Sequence, residues 1–245
     1  MKIGLTFPHS NQVPIIILHG WSINPENSLK WQSFRDALQK KGFNSDFLGL
    51  PGLSTPLHEI WNLGNYTQWL DEHIKKYPKV ILLGHSFGGQ IAARYTVAHP
   101  EKVEKLILID SSGIRDHSLL ATTKRTGFLF AAKMGKVFFQ SPFFRNLLYT
   151  LARERDYQQA PPLLRRTMSS ILDDEVVTDL DRISASTLLI WGADDRVTPL
   201  FLGKIFATKI RHNQFHTIPG ARHSPQFTHT DQVVQLITDF IHHEN

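Results

Sequence analysis

The sequence predicts an α/β protein built on a doubly wound, mostly parallel sheet with a helical segment inserted into it. Three observations lead there. Short runs of branched apolar residues alternate regularly with helical patterns through the first 112 residues, and a parallel sheet covered on both faces produces that rhythm. The run Val80-Ile81-Leu82-Leu83 passes through Gly84-His85-Ser86-Phe87-Gly88 directly into a helical pattern from Gln90 to about His99, which reads as strand, sharp turn and helix. The alternation then stops near Gly113 and resumes only after Ser184. The expected organisation is therefore one core made of residues 1–112 and 185–245, interrupted by a helical cap at 113–184.

Taken in order, the chain opens with an expected edge strand from Lys2 to Phe7 and a turn at Pro8-His9-Ser10-Asn11. Val13 to Leu18 is too short and too β-branched for a helix, so it reads as a buried strand, and it runs into the turn His19-Gly20-Trp21. Leu29 to Lys41 carries Trp31, Phe34 and Leu38 on one helical face and stops at Gly42. Phe43 to Leu48 is the next strand. Gly49 to Gly64 is an irregular loop rich in Gly, Pro, Ser and Asn, of the kind that borders sites. Asn65 is expected to cap a helix from Tyr66 to Lys76, whose apolar stripe is Tyr66, Trp69, Leu70 and Ile74. Lys105 to Ile109 follows the helix Gln90 to His99 as a strand. Beyond the insertion come a strand at Thr187 to Trp191, a helix at Leu200 to Lys209, a strand at Gln214 to Ile218, and a last amphipathic helix bearing Val233, Val234, Ile237 and Phe240.

Composition narrows the function. With 41% hydrophobic and 20% charged residues over 245 positions, the chain is ordinary globular protein, long enough for a proper core. It has no cysteine, which excludes disulfides, thiolate metal sites and cysteine nucleophiles. The first residues lack the apolar region of a secretion signal, and no apolar run approaches the roughly 20 residues needed to span a bilayer, so a soluble, cytoplasmic protein is expected. The net charge of +5 is uneven: residues 114–166 hold ten Lys/Arg against three Asp/Glu, a net of +7 that leaves the rest at −2. No nucleic-acid motif accompanies that basic stretch, and it reads as a solvated helical face rather than a nucleic-acid site.

Doubly wound sheets place their sites at the carboxyl ends of the strands. A serine hydroxyl is a weak nucleophile at neutral pH and needs a base within hydrogen-bond reach, itself held by an acid. Ser86 stands at the apex of the strand-to-helix turn. Asp195 follows one late strand in Trp191-Gly192-Ala193-Asp194-Asp195-Arg196-Val197-Thr198-Pro199, and His223 follows the last in Pro219-Gly220-Ala221-Arg222-His223. The chain order Ser, Asp, His, with each residue just past a strand end, makes Ser86 the candidate nucleophile, Asp195 the acid and His223 the base. Asp194 is an alternative that caps the following turn, and Asp110, at the end of the strand Leu106 to Ile109, is the stronger alternative acid. His19, His85 and Trp191 read as turn or core residues. Histidine pairs such as His212 and His216 lack the HExxH pattern or clustered acid of a metal site.

These motifs together resemble the α/β-hydrolase family with a helical cap. Val13 to Trp21 is similar to its strand and His-Gly oxyanion loop, Gly84 to Gly89 to its nucleophile elbow, Gly192 to Pro199 to its acid loop and Pro219 to His223 to its histidine loop. Gly49 to Thr55 departs from the family's Asp-x-Pro-Gly-x-Gly-x-Ser and keeps only Pro51-Gly52. The resemblance implies a serine hydrolase with an oxyanion hole formed by the backbone N–H groups of Trp21 and Phe87, no cofactor and no metal. Its substrate would be a small-molecule ester or related acyl compound, cleaved through an acyl-enzyme on Ser86. A carbon–carbon bond hydrolase, a lactonase, an amidase or a weakly hydrolytic ligand receptor of this fold are the alternatives. A serine at the elbow argues against the dehalogenases and epoxide hydrolases of the fold, which use a carboxylate there.

Overall fold

A computed structural model describes residues 13–22, 26–115 and 160–243. The expected strand Lys2 to Phe7, the turn that follows it and residues 116–159 of the expected cap lie outside the described residues. Among the described residues six strands form one sheet in the order β2-β1-β3-β4-β5-β6, and every neighbouring pair is parallel. They are β1 (Ile15–Leu18), β2 (Ser45–Leu48), β3 (Val80–His85), β4 (Val103–Ile109), β5 (Ser186–Gly192) and β6 (Asn213–Ile218). The described helices are α1 (Glu26–Lys40), α2 (Leu63–Ile74), α3 (Phe87–Ala98), α4 (Pro162–Leu172), α5 (Leu200–Lys209), the short α6 (Pro225–Thr228) and α7 (Thr230–His242).

The strand sequences explain their places. β1, β3, β4 and β5 are near-continuous branched apolar runs, as strands buried on both faces must be. β2 and β6 carry polar residues, are mostly half-buried and form the two edges. Alternation along the central strands divides the core. Ile16, Leu18, Leu82, Leu106, Leu108, Leu189 and Trp191 face a cluster that includes residues of α2, α3 and α5. Ile15, Ile17, Ile81, Leu83, Ile107, Ile109 and Ile190 face a second cluster containing Trp31, Phe34 and Leu38 of α1 and Val233, Ile237 and Phe240 of α7. Leu164, Ile171, Val176 and Leu180, from the described end of the insertion, belong to the first of these clusters.

Three helix starts differ from expectation, the first being α1, which begins at Glu26 rather than Leu29. α2 begins at Leu63, not Tyr66, because Asn62 is its cap: the Asn62 side chain accepts from the backbone N–H of Asn65 at 3.0 Å, and the Asn65 side chain accepts from the N–H of Asn62 at 2.9 Å. The elbow helix begins at Phe87 rather than Gln90, immediately after the serine. Between β4 and β5 the described residues are helical or irregular, with α4 followed by a single 3₁₀ turn at Leu180–Arg182. Arg165 and Arg166 are exposed on α4 while Leu164 and Thr167 are buried, the pattern of a solvated basic face. Among the described residues no helix is long and apolar enough to cross a membrane.

Candidate active site

The turn after β3 is the fixed point of the site. Ser86 has φ 53 and ψ −117, a conformation costing roughly 1–3 kcal/mol that persists only where its surroundings dictate it. Here the Ser86 N–H donates to Ile109 O at 3.1 Å, while Ser86 O accepts from Gly89 at 3.0 Å, Gln90 at 3.2 Å and Ser112 at 3.0 Å. Two glycines make room for so sharp a turn. A Cβ at Gly84 would overlap the backbone of Gly88 and Gly89, and one at Gly88 would overlap the carbonyl of Leu18 at the end of β1. The elbow and the loop that begins with His19 are therefore in backbone contact. That loop is held in turn by the His19 imidazole, whose Nδ1 bonds Gly20 O at 2.7 Å and whose Nε2 accepts from the Leu50 N–H at 3.0 Å.

The structure brings Ser86, His223 and Asp195 together, as the sequence order led us to expect. His223 Nε2 lies 2.9 Å from Ser86 Oγ, and His223 Nδ1 lies 2.8 Å from Asp195 Oδ2. With Nδ1 protonated toward the carboxylate, Nε2 is left as the acceptor for the serine proton. The elbow pushes Ser86 out of the sheet, but its side chain is not open to solvent: the residue is only 8% exposed, as is His223. Trp21 and Phe87, the two residues expected to supply oxyanion donors, are also buried, with their rings 5.8 Å apart.

Asp195 is heavily solvated by protein groups. Its Oδ1 accepts from the N–H groups of Val197 at 2.7 Å and Thr198 at 3.2 Å, and the Thr198 hydroxyl donates to Oδ2 at 2.7 Å. Burial pushes its carboxyl up, but the hydrogen bond and charge of His223, with the bonds from Thr198 and Val197, outweigh it and hold the pKa below the ordinary value. Asp194, by contrast, is exposed, and its backbone N–H donates to Ala221 O at 2.9 Å, tying the acid loop to the histidine loop. Asp110 is fully buried in the left-handed region, φ 43, with Oδ1 accepting from the Gly192 N–H at 2.8 Å. Burial first, and the neighbouring Asp195 charge second, raise its pKa well above the usual carboxylate value.

Two supports were missed by sequence reasoning. His85, read as a turn or core residue, uses its Nε2–H to bond the backbone carbonyl of His223 at 2.8 Å, and its ring lies 5.1 Å from the His223 ring. Thr198 bonds Asp195 as above, and its only sequence signal is a hydroxyl three residues after an aspartate, the spacing of a local side-chain turn. Among the described residues, His85, Asp110 and His223 offer metal-ligand atoms within 4.8 Å of one another. Both His223 nitrogens are committed to Ser86 and Asp195, however, and His85 Nε2 to His223 O, so these residues do not fit a resident metal.

A model of the alpha/beta hydrolase family matches residues 15–236, and the chain belongs to that family. A 2-hydroxymuconate semialdehyde hydrolase from Pseudomonas putida is 24% identical to it over 250 residues, covering 93% of this chain and 86% of the relative. Among solved structures, a meta-cleavage product hydrolase from Pseudomonas fluorescens IP01 superposes with a TM-score of 0.68 at 19% identity, covering 94% of this chain and 90% of that one. A thermophilic esterase from Thermogutta terrifontis does so with a TM-score of 0.66 at 22% identity, covering 94% and 89%.

Proposed function

We propose that the protein is a serine hydrolase that attacks the carbonyl carbon of a small molecule through Ser86, with His223 as general base and acid and Asp195 as its counter-ion. The observation that carries this reading is the continuous relay from Ser86 Oγ through His223 to Asp195, at 2.9 and 2.8 Å, among buried side chains at the strand ends. His223 Nε2 takes the serine proton as Oγ bonds to the carbonyl carbon, and Asp195 stabilises the imidazolium. The backbone N–H groups of Phe87 and Trp21 receive the oxyanion, Phe87 being the first residue of α3, where helix N–H groups have no intrahelical acceptor. The tetrahedral intermediate collapses, the leaving atom takes the proton from His223, and water repeats the sequence on the acyl-enzyme. The helical segment 113–184 would serve as a cap inserted into the core of 1–112 and 185–245.

Of the bonds this machinery can break, a carbon–carbon bond beside a ketone is favoured. The curated relative named for 2-hydroxymuconate semialdehyde and the structural neighbour named for meta-cleavage products support it over the carboxylic ester that the sequence first suggested. Ester cleavage is the second reading, and the esterase neighbour favours it at the level of fold. In the carbon–carbon case the departing carbon leaves with the bonding pair as a stabilised enolate, which then takes the proton from His223. The test is a pair of substrates sharing one acyl group, one an ester and the other a ketone with an enolisable leaving carbon. A higher kcat/KM for the ketone is expected; a clear preference for the ester would reverse the order, and no covalent labelling of Ser86 by a fluorophosphonate would end both readings.

A further inference from the structure

Of the three N–H groups that the Ser86 carbonyl accepts, those of Gly89 and Gln90 come with the first turn of α3, while that of Ser112, at 3.0 Å, arrives from the loop beyond β4. Gln90 meets Ser112 a second time with its side chain, where Oε1 accepts from the Ser112 hydroxyl at 3.2 Å. The other end of the amide reaches the opposite way: Nε2 donates to the carbonyls of Ile171 at 3.1 Å, in the last turn of α4, and Asp174 at 2.6 Å, just beyond it. Gln90 is buried, and its amide makes bonds at both ends. The chain leaving β4 and the chain following α4 also touch directly. The Val176 N–H donates to Gly113 O at 2.8 Å, and Gly113, with φ 108, packs so closely that a Cβ there would lie 2.7 Å from Val176 Cγ2 and 3.1 Å from Gln90 Cγ.

From this arrangement we propose that Gln90 is a positioning residue for the nucleophile: it anchors Ser112 to the end of α4 and so keeps the Ser112 N–H on the Ser86 carbonyl. The inference rests on the reading of Ser86 as the attacking group. The strained backbone of Ser86, φ 53 and ψ −117, persists only where its neighbours over-determine it. Two of the bonds on its carbonyl belong to the helix, so the third depends on where the loop after β4 lies, and the Gln90 amide sets that position from the far side. Without the amide the Ser112 hydroxyl loses its partner there, and Ser86 is free to relax away from the 2.9 Å contact with His223 Nε2. A displacement of that kind, on the order of 1 Å, can cost as much as about 100-fold in rate. Stability and positioning are separable here, because Arg94, one turn further along α3, grips the same stretch independently. Its guanidinium bonds the Asp179 carboxylate, Asp174 Oδ1 at 2.6 Å and Glu175 O at 2.9 Å, and among the described residues its side chain bonds neither Ser86 nor Ser112.

The test follows covalent labelling of Ser86 by a fluorophosphonate in wild type, Gln90→Leu and Arg94→Met. The amplitude of labelling counts folded, reactive protein, and the rate constant reports how well the serine is placed in that fraction. Gln90→Leu is expected to label at least about ten-fold more slowly than wild type, with the loss in steady-state turnover falling on kcat and KM staying within about two-fold. Arg94→Met should lower the melting temperature and label at the wild-type rate. A wild-type rate constant in Gln90→Leu, or an equal slowing in Arg94→Met, overturns the proposal. If Gln90→Leu fails to fold, Ser112→Ala replaces it, since it deletes only the hydroxyl between the loop and the amide. It should slow labelling by about three-fold or more, and an unchanged rate again overturns the proposal. Absence of labelling in wild type would defeat the reading of Ser86 as nucleophile, and this inference with it.

Discussion

The Thr198 hydroxyl donates to Asp195 Oδ2 at 2.7 Å, the same oxygen that receives His223 Nδ1 at 2.8 Å. The acid is thus aimed by a neighbour three residues along its own loop, and Thr198→Val removes that donor while keeping the side chain's shape. A hydrogen bond to a charged group contributes about 1.5–3 kcal/mol, so kcat/KM should fall by roughly ten-fold or somewhat more, with KM little changed. Steady-state kinetics on the preferred substrate check this; a loss confined to KM would assign Thr198 to substrate binding instead.

Ser86→Ala should lower kcat by about 10⁴-fold or more, since members of such a relay act as a unit. The substitution deletes only a hydroxyl whose partner, His223, keeps its bonds to Asp195 and its backbone bond to His85, so the melting temperature should move little. Activity within a few-fold of wild type, in a preparation free of contaminating hydrolase, would remove Ser86 from the reaction.

The two buried acids should make opposite marks on stability against pH. Asp110 has a raised folded pKa, so the folded state holds its proton more tightly, and stability declines as pH rises above the unfolded value of about 3.9 toward the folded one. Asp195 has a lowered folded pKa; its contribution is complete above about 3.9 and disappears as pH falls through the folded value. Asp110→Asn, which keeps an oxygen for the Gly192 N–H, should therefore gain melting temperature relative to wild type progressively as pH is raised from acid to neutral. Asp195→Asn should lose melting temperature relative to wild type over the same change. Thermal melts at a series of pH values decide both signs.

Gly88→Ala would drive a methyl group into the Leu18 carbonyl, and backbone cannot yield as a flexible side chain can. A destabilisation of roughly 2–4 kcal/mol in denaturant unfolding is expected, with hydrolysis lost even in the fraction that folds, because the same displacement separates the His19 loop from the elbow. Normal stability with normal activity would show that the two loops can part without cost.

Much of this was legible in the chain. The central strands announce themselves because a strand buried on both faces must be a run of branched apolar residues, and Ile15–Leu18 or Leu106–Ile109 can be little else. Ser86, Asp195 and His223 could be read from chain order, since Ser86 and Asp195 follow such runs and His223 follows the last strand. The supports could not. Whether His85 fills the core or holds the carbonyl of a residue 138 positions away depends on which loops meet, and no local pattern records that. The start of α2 was misplaced for a different reason: Asn62 and Asn65 bond each other reciprocally, and either asparagine alone looks like a cap. The elbow helix was started late because Gly88 and Gly89 are poor helix formers, used here for close approach rather than for propensity.

A parallel sheet has no hairpins, and here that decides when activity can appear. Ser86 Oγ and His223 Nε2 meet across 137 residues of chain, and β3, β4, β5 and β6 must be laid side by side before they do. Contacts so distant in sequence are late and slow to form, because loop closure has to precede them. During refolding from denaturant, helical signal should therefore return ahead of catalysis. The rate at which turnover recovers would clock the docking of β6, the last edge of the sheet, rather than any event near the serine itself.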